Sequence, residues 1–407
     1  MSIPSVLHFP NFGIQLTLVC EFAPGEDRLA VETRERPQSG SNTEGAYPAQ
    51  AMTGGQALVA ALIENGIDTI FALPGVQLDG AFDALYDQTD RMRVIHPRHE
   101  QAAAYMADGY ARTTGKPGVC LVVPGPGLLN ATAALSTAYA CNSPVVCVTG
   151  QIQSDLIEFG RGLLHEIPNQ LGMVRSVTKH AERAITPEEI PGLVDRAFTE
   201  LRDGRVRPVE IEMPPDTLFA TGEVRLRPAA ALPERFAGDH ELIVQAAELL
   251  SGAEKPLIWS GGGVLGAEAW EELREVAAIL QAPVVMTANG KGAISDRDPL
   301  AQNIIAGIDL VKDADVIFAV GTRFVDPSTS VWKLQEGRTV IQMDIDADEI
   351  GRNYPVTVGI QADAKAGLAA LAAELTRLNV SRPSRSEELT ALKDSVAKRT
   401  RAVGPQA

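Results

Sequence analysis

From Thr53 to Leu378 the chain alternates short, continuously apolar runs with longer stretches of helical spacing. Val119–Val123 is apolar at every position, and Pro144–Thr149 nearly so. A strand that is apolar on both faces must be covered on both faces, which happens in a parallel sheet lying between helices. The runs Thr69–Leu73, Pro208–Met213, Pro256–Ser260, Pro283–Thr287, Val316–Val320 and Thr339–Met343 read as further strands. Between them, Gly55–Glu64, Gln101–Arg112, Leu128–Tyr139, Glu241–Leu250, Gly266–Leu280 and Ala364–Leu378 read as helices. Strand and helix in alternation predict an α/β fold of two doubly wound parallel-sheet (Rossmann-like) domains.

Punctuation divides the chain. Residues 1–51 form a leader whose polar, breaker-rich stretch Gln38–Gly45 reads as linker. This leader is either weakly ordered or not part of the working protein, with Met52 as the true start. Residues 52–216 form the first domain. Residues 217–237, rich in Pro, Arg and Ala, lack periodicity and read as an interdomain linker. Residues 238–378 form a central domain, and 379–407 a polar tail without strand pattern.

Composition narrows the function classes. Lys and Arg number 36 against 52 Asp and Glu, a net charge of −16. A surface with that balance is a poor match for nucleic acid or an anionic membrane, which require an excess of cations. It still admits a small phosphate-bearing cofactor held by backbone N–H groups. No apolar run approaches the roughly 18 residues of a membrane span. Phe12–Cys20 lacks the preceding positive charge and the cleavage site of a secretory signal. Cys20, Cys120, Cys141 and Cys147 show no C-x-x-C spacing, so free thiols in a cytoplasmic protein are expected, with no metal site.

Three stretches carry chemistry. Pro97–Arg112 (PRHEQAAAYMADGYAR) sets Glu100 before a nearly uncharged, Ala-rich helix suited to close packing against another protein surface. Such a Glu can be a first-turn dipole partner. In an apolar setting it can also hold and share a proton. Val122–Asn130 (VVPGPGLLN) closes a buried strand and opens a helix, where open parallel sheets bind ligands. Phe71–Gly75 (FALPG) lies at another strand end.

With Ser143–Gln151 (SPVVCVTGQ), these motifs, in this order and spacing, resemble the pyrimidine-binding domain of thiamine-diphosphate enzymes, in particular the acetohydroxyacid (acetolactate) synthase, pyruvate oxidase and benzoylformate decarboxylase group. The similarity continues through Val177–His180, Val209–Asp216, Gly261–Gly263, Gly321–Arg323, Asp344–Asp346 and Ile350–Pro355. The resemblance implies a 2-oxo-acid carboligase or decarboxylase acting on a small 2-oxo acid. It implies that Glu100 hydrogen-bonds N1′ of the cofactor's aminopyrimidine and shares a proton with it. It places Pro74, Gly75, Pro126 and Asn130 along the pyrimidine and substrate end. His165 stands where the synthase group has Gln, and with Gln151 it is a candidate for substrate contact. A homodimer or tetramer, with contact through the Ala-rich helix after Glu100, is implied as well.

The central domain contains Gly261–Gly266 (GGGVLG) after a strand. The acidic residue of a dinucleotide site is missing near position 287, so NAD-linked hydride transfer is a poor reading. The resemblance allows FAD or ADP there, at Gly261, Gly262, Gly263, Thr287, Gly321, Arg323, Asp344, Ile345 and Asp363. Val325 replaces an acidic position of the family, and the loop after Gly290 looks shortened.

The family's third domain holds Mg²⁺ and the cofactor's diphosphate with a Gly-Asp-Gly motif. Asp79-Gly80 and Asp203-Gly204 lack its leading Gly and lie in the wrong domains. The expectation is therefore an incomplete thiamine-diphosphate site, with Mg²⁺ supplied only through a domain this chain lacks. The chain would then be inactive alone. It would be a fragment, one subunit of a split enzyme with a separate diphosphate-binding subunit, or a non-catalytic nucleotide-binding relic.

Overall fold

The structure is a computed structural model that describes residues 47–229, 231–325 and 338–402. Residues 1–46, with Cys20 and most of the expected leader, lie outside the described residues. Strand β1 (Gln50–Thr53) runs directly into helix α1 (Gly54–Glu64). A reciprocal cap sets that boundary: Gln56 N donates to Thr53 Oγ1 at 3.2 Å and Thr53 N donates to Gln56 Oε1 at 3.0 Å.

There follow β2 (Thr69–Ala72), α2 (Asp79–Tyr86), β3 (Arg93–Ile95), α3 (Glu100–Thr114), β4 (Gly118–Val122), α4 (Pro126–Cys141) and β5 (Val145–Gly150). Then come α5 (Gln170–Val174), β6 (His180–Arg183), α6 (Ile190–Arg202) and β7 (Val209–Met213). The six strands from β2 to β7 form one parallel sheet in the order β3-β2-β4-β5-β7-β6.

Alternate residues of each strand serve opposite faces. Ile70, Leu121, Val148 and Ile211 meet α1, α2 and α6, while Phe71, Cys120, Val122 and Cys147 meet α3 and α4. The α3–α4 side is built from Ala103, Ala107, Ala131 and Ala134, all fully buried. Small side chains let these helices sit close to the sheet. A Cβ on Gly118 would lie 2.0 Å from the Ala107 carbonyl oxygen.

The stretch read as linker is more ordered than its lack of periodicity suggests. It opens within α7 (Pro215–Phe219) and continues as β8 (Thr221–Val224), which pairs antiparallel with β1. Four residues containing a Gly are too few to show an alternation.

The central domain comprises α8 (His240–Gly252), β9 (Pro256–Ser260), α9 (Gly262–Gly266), α10 (Trp270–Leu280), β10 (Val284–Met286) and β11 (Ala301–Gln302). It continues with α11 (Ile304–Asp313), β12 (Val316–Val320), β13 (Thr339–Asp344), β14 (Val358–Gln361) and α12 (Ala364–Arg377). Its six strands are parallel in the order β11-β10-β9-β12-β13-β14. The helix expected over Gly266–Leu280 is broken at Glu268, which takes a left-handed conformation with φ of 55°. The polar tail carries α13 (Ser386–Ala402), which seats Leu389 and Val396 in buried positions. No helix of the described residues is long and apolar enough to cross a membrane.

Gly118→Ala should destabilise the protein by about 2 kcal/mol or more, because backbone on both sides must move. Gly109→Ala, in the same helix layer with open space around it, should be neutral or stabilising by about 0.5–1 kcal/mol. Urea denaturation of both variants checks the contrast.

Candidate functional site

Strand order reverses at β2: the chain passes outward from β2 to β3, then returns to β4 on the other side. The loops leaving the carboxyl ends of β2 and β4 therefore turn to opposite sides, at the position where open parallel sheets form a ligand crevice. The first loop carries Pro74 and Gly75, and the second carries Pro124–Gly127. They touch closely enough that a Cβ on Gly75 would lie 2.3 Å from Val123 Cγ1. Gly125 has φ of 56° and ψ of −116°, a conformation only glycine adopts comfortably. Pro126 then takes the first helical position of α4, where its missing N–H is no loss.

Glu100 begins α3, the helix that returns the chain from β3 to β4. Asn130, one turn into α4, donates from Nδ2 to Glu100 Oε2 at 3.0 Å. Oε1 makes no protein hydrogen bond among the described residues. Gly127 faces it, and a Cβ there would lie 3.5 Å from Oε1 and 2.4 Å from Val123 Cγ2. The structure thus brings Gly127 and Asn130 to the half-buried Glu100 carboxylate, while Gly75 packs against Val123 and Pro74 and Pro126 are exposed.

His165 lies on the segment that crosses this crevice. Its carbonyl oxygen would be 2.2 Å from a Cβ on Gly125. Its Nδ1 is 3.1 Å from Gln77 Oε1, so the Nδ1–H tautomer donates there and leaves Nε2 for another partner. Gln151 is placed differently. It is 4% exposed, and both ends of its amide are committed: Nε2 donates to Glu212 Oε1 at 3.3 Å and Oε1 accepts from Ile152 N at 2.7 Å.

Beneath the crevice lies a polar cluster that attracts no attention in the sequence. Glu210 and Glu212 sit on one face of β7 and are fully buried. Glu212 accepts from Gln170 Nε2 at 2.6 Å, from Gln151 and from Arg183 Nε. Glu210 Oε1 accepts from Thr149 Oγ1, while Oε2 is buried without a partner. Burial, reinforced by the charge of Glu212, pushes the Glu210 carboxyl well above the usual carboxylate range. In the next strands of the same row lie Cys147 and Cys120. The Cys147 thiol is pushed well up by its hydrogen bond with Cys120 and by burial. The signal available in the sequence was VEIEM, two acids in an otherwise apolar buried strand.

The central-domain candidates collect at the carboxyl edge of their sheet, but mostly on one another. A Cβ on Gly261 would be 2.2 Å from the Gly321 carbonyl oxygen, and one on Gly263 would be 2.7 Å from Gly321 Cα. Gly262 packs against Asn289. Thr287 caps the turn to Gly290 at 3.1 Å. Arg323 donates to the Ala140 carbonyl at the end of α4, at 2.9 Å. Ile345 offers its carbonyl to Gln361, and Asp344 Oδ1 accepts from Asp346 N at 3.0 Å. Burial raises the Asp344 carboxyl. Asp363 caps α12 and pairs with Arg235 at 3.2 Å. Among the described residues no cluster of three or more His, Cys, Asp or Glu could hold a metal ion.

Two family descriptions match: the N-terminal thiamine pyrophosphate binding domain over residues 52–173, and the thiamine pyrophosphate enzyme central domain over residues 243–371. The chain belongs to the thiamine pyrophosphate enzyme family. It is 35% identical over 340 residues to the probable 2-ketoarginine decarboxylase AruI of Pseudomonas aeruginosa, covering 81% of this chain and 59% of that protein. It is 37% identical over 342 residues to the probable acetolactate synthase large subunit of Methanocaldococcus jannaschii, covering 81% and 57%. Against the acetolactate synthase isozyme 2 large subunit of Escherichia coli it is 35% identical over 328 residues, covering 79% and 59%. The chain thus spans less than two thirds of the length of these relatives.

The cluster under the crevice should leave a pH signature. Folding favours the acid form of Glu210, so its contribution to stability is complete below the unfolded value near 4.5. It is lost as pH rises towards the higher folded value. Glu210→Gln removes that loss. The melting temperature of the variant, relative to the parent, should be higher at neutral pH than at pH 5. A constant difference across that range would show that Glu210 is not protonated by folding.

Proposed function

We propose that the chain provides the pyrimidine side of a thiamine-diphosphate site serving a 2-oxo-acid carboligase or decarboxylase of the acetolactate-synthase kind. The observation that carries this reading is the Glu100 carboxylate, held at Oε2 by Asn130 and without a protein hydrogen-bond partner at Oε1 among the described residues. The ring nitrogen of a heteroaromatic ligand needs one such carboxyl oxygen with no other duty. When bound, the cofactor supplies a carbon nucleophile and a sink for the electrons released with CO₂.

The chain's own residues do the rest. Glu100 holds a proton at Oε1 and shares it across a hydrogen bond. Asn130 fixes the carboxylate's rotation. Gly75, Pro74 and Pro126 shape the crevice mouth, and His165 presents Nε2 to a small 2-oxo acid. The described residues offer no carboxylate cluster for the Mg²⁺ that accompanies a diphosphate. We assign that end of the site to another segment or subunit.

A flavin fits less well. Gly261, Gly263 and Gly321 are packed backbone to backbone, and Arg323 and Asp363 already have protein partners. We route no step through it.

Self-association through α3 and α4 belongs to the same proposal. Their outer face exposes Tyr105, Met106 and Leu129, while most of their alanines are buried on the inner side. Sedimentation of the full chain should show a dimer that Met106→Glu dissociates. A monomer at every concentration would remove this surface as an interface.

Titration of the full chain with thiamine diphosphate and Mg²⁺ should show saturable binding. Glu100→Gln should leave the fold intact and slow C2–H exchange of the bound cofactor by about 10²–10⁴. Unchanged exchange would remove Glu100 from its role. Binding of ADP or FAD without thiamine diphosphate would favour a nucleotide-binding protein that has lost the chemistry.

A further inference from the structure

We infer that Gln170 is the positioning residue that fixes Glu100, acting through the Gly125 turn and the first turn of α4. This deepens the reading above and rests on it for its functional meaning. Gln170 is 2% exposed and lies at the start of the short helix α5, well away from the crevice in sequence. Its side-chain amide reaches three separate places. Oε1 accepts from Gly125 N at 2.8 Å; Nε2 donates to the Gly150 carbonyl at 3.0 Å and to Glu212 Oε2 at 2.6 Å. Only one amide orientation satisfies all three, because the reverse would set an NH₂ against an N–H and an oxygen against two oxygens.

Glu212 is itself held by Gln151 and Arg183. Gln170 therefore ties the turn after β4 to the end of β5 and to β7. The tie matters because of where the Gly125 turn leads. Its N–H would otherwise be a buried donor with no partner, in a conformation away from the common basins. Pro126 and Gly127 follow at once, and Asn130 lies one turn on. Both neighbours of the Glu100 carboxylate on α4, the Asn130 amide and the backbone of Gly127, thus ride on this turn.

Hydrogen exchange on the full chain without cofactor tests the assignment. The Gly125 amide, although in a loop, should be among the protected amides of the parent protein. In Gln170→Leu its protection should fall about tenfold, the equivalent of one lost hydrogen bond. The Asn130 side-chain amide and the Glu100 carboxyl carbon should shift in NMR spectra of the same variant. Gln302→Leu, which empties another buried amide in the central domain, should leave those signals in place. If Gln170→Leu does not fold, Gln170→Met, of closer shape, is read instead. Loop-rate exchange at Gly125 in the parent overturns the proposal. So do unshifted Glu100 and Asn130 signals in a folded variant, or equal shifts in the Gln302 control. These readouts need no bound cofactor, so absence of thiamine-diphosphate binding would count against the functional reading and leave the Gln170 assignment standing.

Discussion

A carboxylate can share a proton with a ligand only if it is held still by one oxygen and left open at the other. The bond from Asn130 to Glu100 meets that condition, and much of the first domain serves to make it. The two residues lie 30 positions apart, on helices from successive crossovers. They meet because α3 and α4 pack side by side through alanines that let their axes approach. A larger residue at Ala103 or Ala131 would spread the helices and stretch the bond. The Ala-rich composition of this layer is therefore part of the site as well as of the core.

The shape of the crevice follows from topology, and its detail from glycine. Strand order reverses between β2 and β4, which parts the two loops, while Gly75, Gly125 and Gly127 let them stay close to Val123, His165 and Glu100. Two demands are met: a positive φ at Gly125, and at Gly75 and Gly127 a close approach of the Val123 side chain, which a Cβ at either position would meet within 2.4 Å. The central domain uses the same device at the equivalent place, between β9 and β12. There Gly261 and Gly263 are filled by the Gly321 loop itself. Similar glycine-rich strings thus admit a valine side chain in one domain and a backbone loop in the other, which a string of letters cannot distinguish.

That contrast marks what could be read in advance. Parallel α/β architecture followed from apolar runs such as Val119–Val123, because two-sided burial leaves no other arrangement. Glu100, Asn130 and the loops at residues 74–75 and 124–127 could be singled out because their motifs are local and ordered along the chain, and the structure joins the first two by a hydrogen bond. Strand β8 was invisible because four residues carry no period. The roles of Gln170 and Glu212 were hidden for a different reason. A buried amide or acid is defined by partners from other strands, here Gly125, Gly150 and Arg183. The tidy i,i+2 spacing of Glu210 and Glu212 shows only that both point to one face. Gln151 was legible as a residue near the site, but not as one whose amide faces inward.

The far end of α4 completes the account of how Asn130 is placed. This helix has 16 residues and spans about 24 Å. Its first turn is set by the Gly125 hydrogen bond, and its last turn is held by three arginines. Arg323 reaches from the central domain to the Ala140 carbonyl. Arg205 donates to Asn142 Oδ1 at 3.0 Å while pairing with the buried Glu349 of the central domain. Arg207 donates to the Tyr139 hydroxyl at 2.7 Å and stacks on its ring at 4.1 Å. Cations at a helix carboxyl end complement its dipole, and here all three join the two domains: Arg323 belongs to the central domain, and Arg205 and Arg207 both pair with its Glu349. A rod fixed at both ends can neither slide nor tilt without breaking buried polar contacts. The central domain thus braces the end of α4 opposite the one that carries Asn130.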